Sequence, residues 1–250
     1  MDWGRAKTVL ILSFLLLNVL LGFQLWNDYK ETGPATAFDG LTEETRAVMQ
    51  EKKIRMDTNA KIPKGTPSLQ TTVSFNQTLN SAERVPLVPP VESKAVLLSR
   101  NNFEEKFKDR IDQAEDYELD PITSSGKVFI LHQMYGGYPL FEMTLKLYYE
   151  NQQINAFQQS YAQTPSGAEE KEQPVLPAYT VLGILVKNHL QNGAVIQDVR
   201  LGYHGQSYNS QVQVFAPYWR VAIEGDKIFY VHAINGAVED PSQEEKQIWE

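Results

Sequence analysis

The longest apolar segment of the chain is an uncharged run of eighteen residues from Thr8 to Leu25. A helix of this length rises about 1.5 Å per residue and crosses roughly 27 Å, close to the hydrocarbon thickness of a bilayer. Basic residues precede the run and an acidic residue follows it. Because basic flanks stay cytoplasmic, the pattern predicts a cytoplasmic stub at 1–7 and a transmembrane signal anchor at 8–26. The protein would be a single-pass cell-membrane protein with its N-terminus inside and its C-terminal domain extracellular.

A cleaved signal peptide is the alternative interpretation of the same run. Its apolar core would be about 7–15 residues long and would end at small side chains. Residues 22–27 read Gly-Phe-Gln-Leu-Trp-Asn, which places bulky side chains where a signal peptidase requires small ones. An uncleaved anchor is therefore favoured.

One face of the predicted anchor carries a polar residue beside a small one. At 100° per residue, the face consists of Thr8, Ile11, Leu15, Asn18 and Gly22. A buried amide in hydrocarbon is unfavourable without a partner, and a small residue next to it lets another helix approach closely. This face is the predicted partner-binding site, although a single asparagine tolerated in an anchor would give the same pattern.

Residues 27–92 have the composition of a stalk. They show weak helical periodicity after Leu41 and weak alternation over 71–79, and they are rich in proline from Pro63 onward. Proline removes backbone donors and fixes φ, so regular structure is not expected near these positions. We therefore predict a proline-rich, partly disordered stalk.

Two segments beyond the stalk repeat one order of elements. In residues 93–165, Phe103, Phe107 and Ile111 form one apolar stripe, which predicts a helix at 101–113. Period-two alternation then predicts three strands, at Lys127–Tyr135, Leu140–Tyr149 and Ile154–Ala162.

Residues 174–240 show the same order. Pro177 opens a predicted helix, and strands are predicted at Val195–Tyr203, Tyr218–Glu224 and Lys227–Ile234, with a polar tail at 241–250. The predicted fold class is α+β: an N-terminal transmembrane helix, then an ectodomain of two α-β-β-β units whose antiparallel sheets are each covered by a helix. An internal duplication remains an open alternative to chance similarity.

The amino-acid composition reduces the number of possible function classes. The net charge of −8 argues against a nucleic-acid partner, and the absence of cysteine excludes disulfides and thiolate chemistry. No histidine pair has metal-ligand spacing, and His132 and His232 are interpreted as packing or surface residues in strands. We predict no catalytic residue, cofactor or metal, although a hydrolase assembled from distant residues stays possible.

Four segments resemble the YycI (also called WalI) family. The N-terminal one is Met1–Thr8, which runs straight into the apolar segment, and the other three are Leu201–Gln206, Phe215–Val221 and Tyr230–Gly236. Together they bracket nearly the full chain, whereas residues 30–92 show no match. The helix-plus-three-strand unit is also similar to PepSY-type modules.

The resemblance implies a single-pass membrane protein of low-GC Gram-positive bacteria. Family members modulate the sensor histidine kinase WalK (YycG) together with a sister anchored protein, YycH, in a two-component system that controls cell-wall metabolism. Contacts in the family are attributed to transmembrane helices and ectodomains. The sign of regulation, the stoichiometry and any ectodomain ligand stay open.

Two further function classes stay open beside this one. A PepSY-like ectodomain could inhibit or bind an extracytoplasmic protease, or the chain could be a cell-wall-acting enzyme. Co-purification from membranes separates the first from a kinase regulator, and a cleft with paired carboxylates would favour the second.

Overall fold

The computed structural model describes residues 40–60, 62–80, 83–92, 99–163, 172–205 and 212–239, with Trp3, Lys7, Ile11, Leu17, Asn18 and 13–15 near the N-terminus. The chain divides into two compact units, Met1–Gly40 and Leu41–Glu250. The second unit therefore begins well before residue 93, where the sequence pattern places the start of the first folded unit.

Among the described residues of the second unit, three segments are α-helical: α1 (Glu43–Glu51), α2 (Arg100–Phe107) and α3 (Ala178–Asn188). The helix predicted at 101–113 ends earlier than expected, at Phe107. The chain then continues through turns, in which Gln113 adopts a left-handed conformation (φ 55°) before a short 3₁₀ turn. The apolar stripe of the predicted helix is nevertheless buried as the pattern predicts.

Thirteen strands occur in the described parts of the chain. They are β1 (Arg55–Met56), β2 (Ser68–Gln70), β3 (Val73–Asn80), β4 (Val85–Glu92), β5 (Tyr117–Asp120), β6 (Val128–Tyr135), β7 (Tyr138–Glu150), β8 (Gln153–Gln163), β9 (Glu172–Pro174), β10 (Val195–Gly205), β11 (Val212–Ile223), β12 (Lys227–His232) and β13 (Val238–Glu239). Eleven form one sheet, and β2 pairs with β9 separately. Nearly all pairings are antiparallel, so the predicted α+β class is confirmed.

Helices α2 and α3 each precede an antiparallel meander along the chain. Helix α2 precedes the first meander, β6–β7–β8, and α3 precedes the second, β10–β11–β12. The sequence pattern suggests separate sheets, but the meanders share one. Strand β3 joins them by pairing with β8 and β11, and β7 pairs with β10 in parallel at Leu140 and Tyr203.

Part of the region expected to be a stalk is built into this sheet. Strand β4 buries Leu87 and Val91 and leaves its prolines exposed, at Pro86, Pro89 and Pro90. Within the described part of the chain, β4 pairs with β8 alone and so lies at an edge, where the missing proline donors cost little. Proline content alone was therefore a poor guide to this segment.

The first meander encloses a hydrophobic core with α2. Its central side chains are buried: Leu87, Phe103, Phe107, Ile111, Leu131, Leu145, Leu147 and Ile154.

Helix α3 buries its own apolar face. The residue that follows α1 places a cation at the C-terminal end of α3. Lys52 Nζ donates to the carbonyls of Val186 (2.8 Å), Lys187 (3.1 Å) and Leu190 (3.3 Å). A cation at this end stabilises the helix dipole.

Within the residues described, no helix is long and apolar enough to cross a membrane. Most of the anchor predicted at 8–26 lies outside these residues.

Candidate functional site

The two meanders meet at a seam, which consists of β5, β6 and β7 on one side and β10 to β13 on the other. At its centre, β7 lies against the backbone of β10. A Cβ atom on Gly202 would lie 2.6 Å from the Pro139 carbonyl oxygen and 2.7 Å from the Phe141 ring. Glycine is therefore required there by close approach.

A buried ion cluster connects the two sides of the seam. Arg220 on β11 is only 1% exposed, and its Nη1 donates to Asp120 Oδ2 on β5. Its Nη2 donates to Asp198 Oδ2 on β10 at 3.1 Å, and His132 Nε2 on β6 lies 3.0 Å from Asp120 Oδ2. The guanidinium carbon is also 5.1 Å from the centre of the Phe141 ring.

The members of this cluster stabilise one another's charges. Burial alone would raise the pKa of Asp120, but hydrogen bonds from His132 and Arg220 and the charge of Arg220 hold it well below its usual range. Burial would lower the pKa of Arg220, and the two aspartates raise it instead. Asp120 is therefore an ionised, fully enclosed carboxylate, which favours a structural role over a catalytic one.

An outer ion pair extends the cluster toward solvent. Arg200 on β10 donates from Nη2 to Glu118 Oε1 on β5 at 2.6 Å. The side chain of Glu118 is 49% exposed, so solvent screens this pair.

A second group at the seam, the His204 cluster, consists of His204, Glu142 and Glu239. His204 Nδ1 contacts Glu142 Oε1 on β7, and His204 Nε2 lies 3.3 Å from Glu239 Oε2 on β13. The imidazole stacks on Tyr230 with ring centres 4.0 Å apart. Tyr218 donates its hydroxyl to Glu239 Oε1 at 2.6 Å. The cluster thus links strands from both meanders.

A groove of about 460 Å³ opens beside the seam. The segment Pro63–Pro67, the turn Gly137–Pro139 and three residues of the second meander, Arg200, Leu201 and Trp219, line it. Trp219 is held in place because its indole N–H donates to the Leu176 carbonyl at 2.9 Å. The groove combines an apolar surface with the cationic groups of Lys64 and Arg200.

The residues of the predicted anchor face are only partly described. Thr8 and Gly22 lie outside the described residues. Ile11, Leu15 and Asn18 are helical and exposed, as are Phe14 and Leu17, so exposure does not distinguish one face. The partner-binding face stays a prediction.

In the described parts of the chain, no group of three His, Asp or Glu side chains is arranged to hold a metal ion.

Sequence reasoning did not find the seam. Its residues come from strands far apart in the chain, and Asp120 and Arg220 are 100 positions apart. One signal could have found it, because the segments that resemble the YycI family contain Gly202, His204, Arg220 and Tyr230.

Comparison with known proteins places this chain in a class of regulatory proteins of a two-component system. A family model described as YycI protein matches residues 32–234, which is most of the chain. The match includes residues 32–92, where the sequence alone shows no resemblance to the family. The chain therefore belongs to the YycI family, whose members regulate the WalK system. The expected family resemblance is confirmed.

The other comparisons add little to this assignment. No curated protein matches the chain. Among solved structures, an uncharacterized protein from Eubacterium rectale ATCC 33656 is 10% identical, with 81% of this chain and 83% of that chain covered and a TM-score of 0.36. A similarity this low supports no inference about function.

Proposed function

We propose that the chain is a membrane-anchored regulator that binds the sensor histidine kinase WalK (YycG) and the sister protein YycH. It would thereby modulate the two-component system that controls cell-wall metabolism. The family match over residues 32–234 carries this proposal, because it covers almost the whole compact unit that begins at Leu41.

The proposal assigns the contacts to two parts of the chain. The first is the apolar run of residues 8–26, which anchors the protein with its N-terminus in the cytoplasm. The second is the extracytoplasmic domain, interpreted as two PepSY-like α-β-β-β units. The order α2–β5–β6–β7–β8, followed by α3–β10–β11–β12, supports that interpretation, with β5 as an additional strand in the first unit.

The ion pairs across the seam couple its two sides, so the domain is expected to respond to a partner as one unit. Arg220 and His204 each bind acidic side chains from both sides of the seam, so displacement of one side strains ion pairs held by the other. The groove beside the seam supplies a partner with apolar surface next to cationic groups. The effect of a partner that binds in the groove would be transmitted across the sheet through the seam.

The anchor face is expected to contribute to kinase binding. Asn18→Leu removes an interhelical hydrogen bond, and Gly22→Leu pushes the two helix backbones apart. Such bonds contribute roughly 0.6–2 kcal/mol, so each variant should weaken association by several-fold to about thirtyfold. Ser13→Leu, on the opposite side of the predicted helix, should leave association unchanged.

Co-purification of the full-length chain from membranes tests both the function and the face. The wild-type chain should capture a two-transmembrane histidine kinase, and its absence would contradict the proposed function. If the kinase is captured equally by all three variants, or after exchange for an unrelated anchor, recognition belongs to the domain alone. Folding of each variant domain is checked by circular dichroism, since none of the three changes lies in it.

A further inference from the structure

We propose that the His204 cluster is a proton-dependent link between the two meanders, which holds β7, β10 and β13 together when the imidazole is protonated and loosens when it is neutral. This device is independent of the proposed function.

The geometry of the cluster requires a charged ring. Both imidazole nitrogens face carboxylate oxygens, Nδ1 toward Glu142 and Nε2 toward Glu239. An ionised carboxylate only accepts hydrogen bonds, so both nitrogens must donate, and only the imidazolium has two N–H groups. A neutral ring removes the imidazole donor from one of the two carboxylates, which then keeps only its second donor, the Gly205 amide for Glu142 or the Tyr218 hydroxyl for Glu239.

The cluster lies where the backbones of the two meanders meet. His204 follows Tyr203, the residue of β10 that pairs with Leu140 of β7. Glu142 lies two positions beyond Leu140, and its Oε2 accepts a hydrogen bond from the Gly205 amide at 3.3 Å. Weakening of the bond between His204 and Glu142 therefore acts directly on the β7–β10 contact.

Of the other titratable groups around the ring, the tyrosines and Arg220 keep their charge state as the pH rises, whereas His232 loses its proton at a lower pH than His204. From β11 and β12, Tyr218 and Tyr230 contact His204, and burial raises the pKa of both phenols, so they stay neutral. His232 of β12 lies against Tyr218, and burial lowers its pKa despite the charge of Glu239, so it neutralises first. Arg220 stays charged throughout.

The direction of the pH effect follows from the two carboxylates. Burial alone would lower the pKa of His204, but the hydrogen bond and charge of Glu142, together with Glu239, raise it above its ordinary value of 6.5. A raised folded-state pKa stabilises the protein fully below the unfolded value, near 6.5. That stabilisation is lost as the pH rises through the folded-state pKa.

Hydrogen exchange of the full-length chain between about pH 6 and 9 tests the proposal. After correction for intrinsic exchange rates, protection of peptides covering Tyr138–Glu142 and Tyr203–Gly205 should fall by about tenfold across this range. His204→Gln should show low protection at every pH, close to that of the wild type at pH 9. His189→Gln, which changes an exposed histidine, should keep the wild-type pH dependence.

A direct titration keeps the test decisive if His204→Gln does not fold. NMR of the wild-type imidazole should give a His204 pKa above 6.5, and Glu239→Gln should lower it. A His204 pKa at or below 6.5 would overturn the proposal. So would protection of the β7–β10 contact that is the same at pH 6 and pH 9.

Discussion

Replacement of Arg220 with methionine is expected to lower the free energy of unfolding by about 3–5 kcal/mol. The guanidinium is almost completely buried and donates to Asp120 and Asp198. Its removal leaves the enclosed Asp120 carboxylate with His132 as its remaining side-chain partner. A buried charge without its counter-ion cannot recover its lost hydration, which makes the expected loss large.

Arg200, on the neighbouring strand β10, provides a matched control. Arg200 pairs with Arg220 in the β10–β11 register, but its ion pair with Glu118 is partly exposed. Arg200→Met should cost only about 0–1 kcal/mol. Urea unfolding of the full-length chain measures both variants, and equal losses would contradict the assignment of the buried cluster as the main polar contact of the seam.

The double variant Asp120→Leu/Arg220→Met separates charge from packing. It should recover part of the loss, because no uncompensated carboxylate then remains at position 120. Arg220 Nε has no hydrogen-bond partner among the described residues, so the native cluster itself carries a desolvation cost.

Gly202→Ala is expected to cost about 1–3 kcal/mol and to separate β7 from β10. The new methyl group would overlap the Pro139 carbonyl oxygen, which is backbone and cannot rotate away, as well as the Phe141 ring. Relief requires β7 to move as a whole. The change should therefore also expose the β7–β10 contact to hydrogen exchange.

Gly126→Ala provides the control for this variant. Its Cβ would meet no atom within 4 Å, and its φ lies outside the left-handed region. We expect a change within about 0.5 kcal/mol. Thermal and urea unfolding distinguish the two variants, and a Gly202→Ala protein as stable as Gly126→Ala would show that the strands do not approach as described.

Local features of the fold were predictable because local chemistry determines them. The turn between β6 and β7 uses Gly136 and Gly137 at φ 56° and 84°, and the turn between β11 and β12 uses Gly225 and Asp226 at φ 90° and 61°. These residue types favour such conformations, so both meanders could be located from the sequence. The alternation of apolar residues then predicted which face of each strand is buried.

Long-range pairing was not predictable from the same patterns. Strand β3 pairs with β8 and β11, and no local periodicity specifies either partner. A strand was predicted at Tyr218–Glu224, but β11 begins at Val212 and includes Pro217, whose carbonyl accepts from the Ala233 amide and which pairs opposite Tyr203. His132, interpreted as a packing or surface residue, is instead part of the buried ion cluster.

Kinase activity in reconstituted membranes tests the proposal that the chain regulates WalK by binding it. Autophosphorylation of purified WalK in lipid vesicles is measured with and without the full-length chain, and with the Asn18→Leu/Gly22→Leu double variant. We expect the wild-type chain to change the rate of WalK autophosphorylation and the double variant to change this rate less. An identical rate with and without the wild-type chain, at concentrations where both proteins are inserted, would contradict the account.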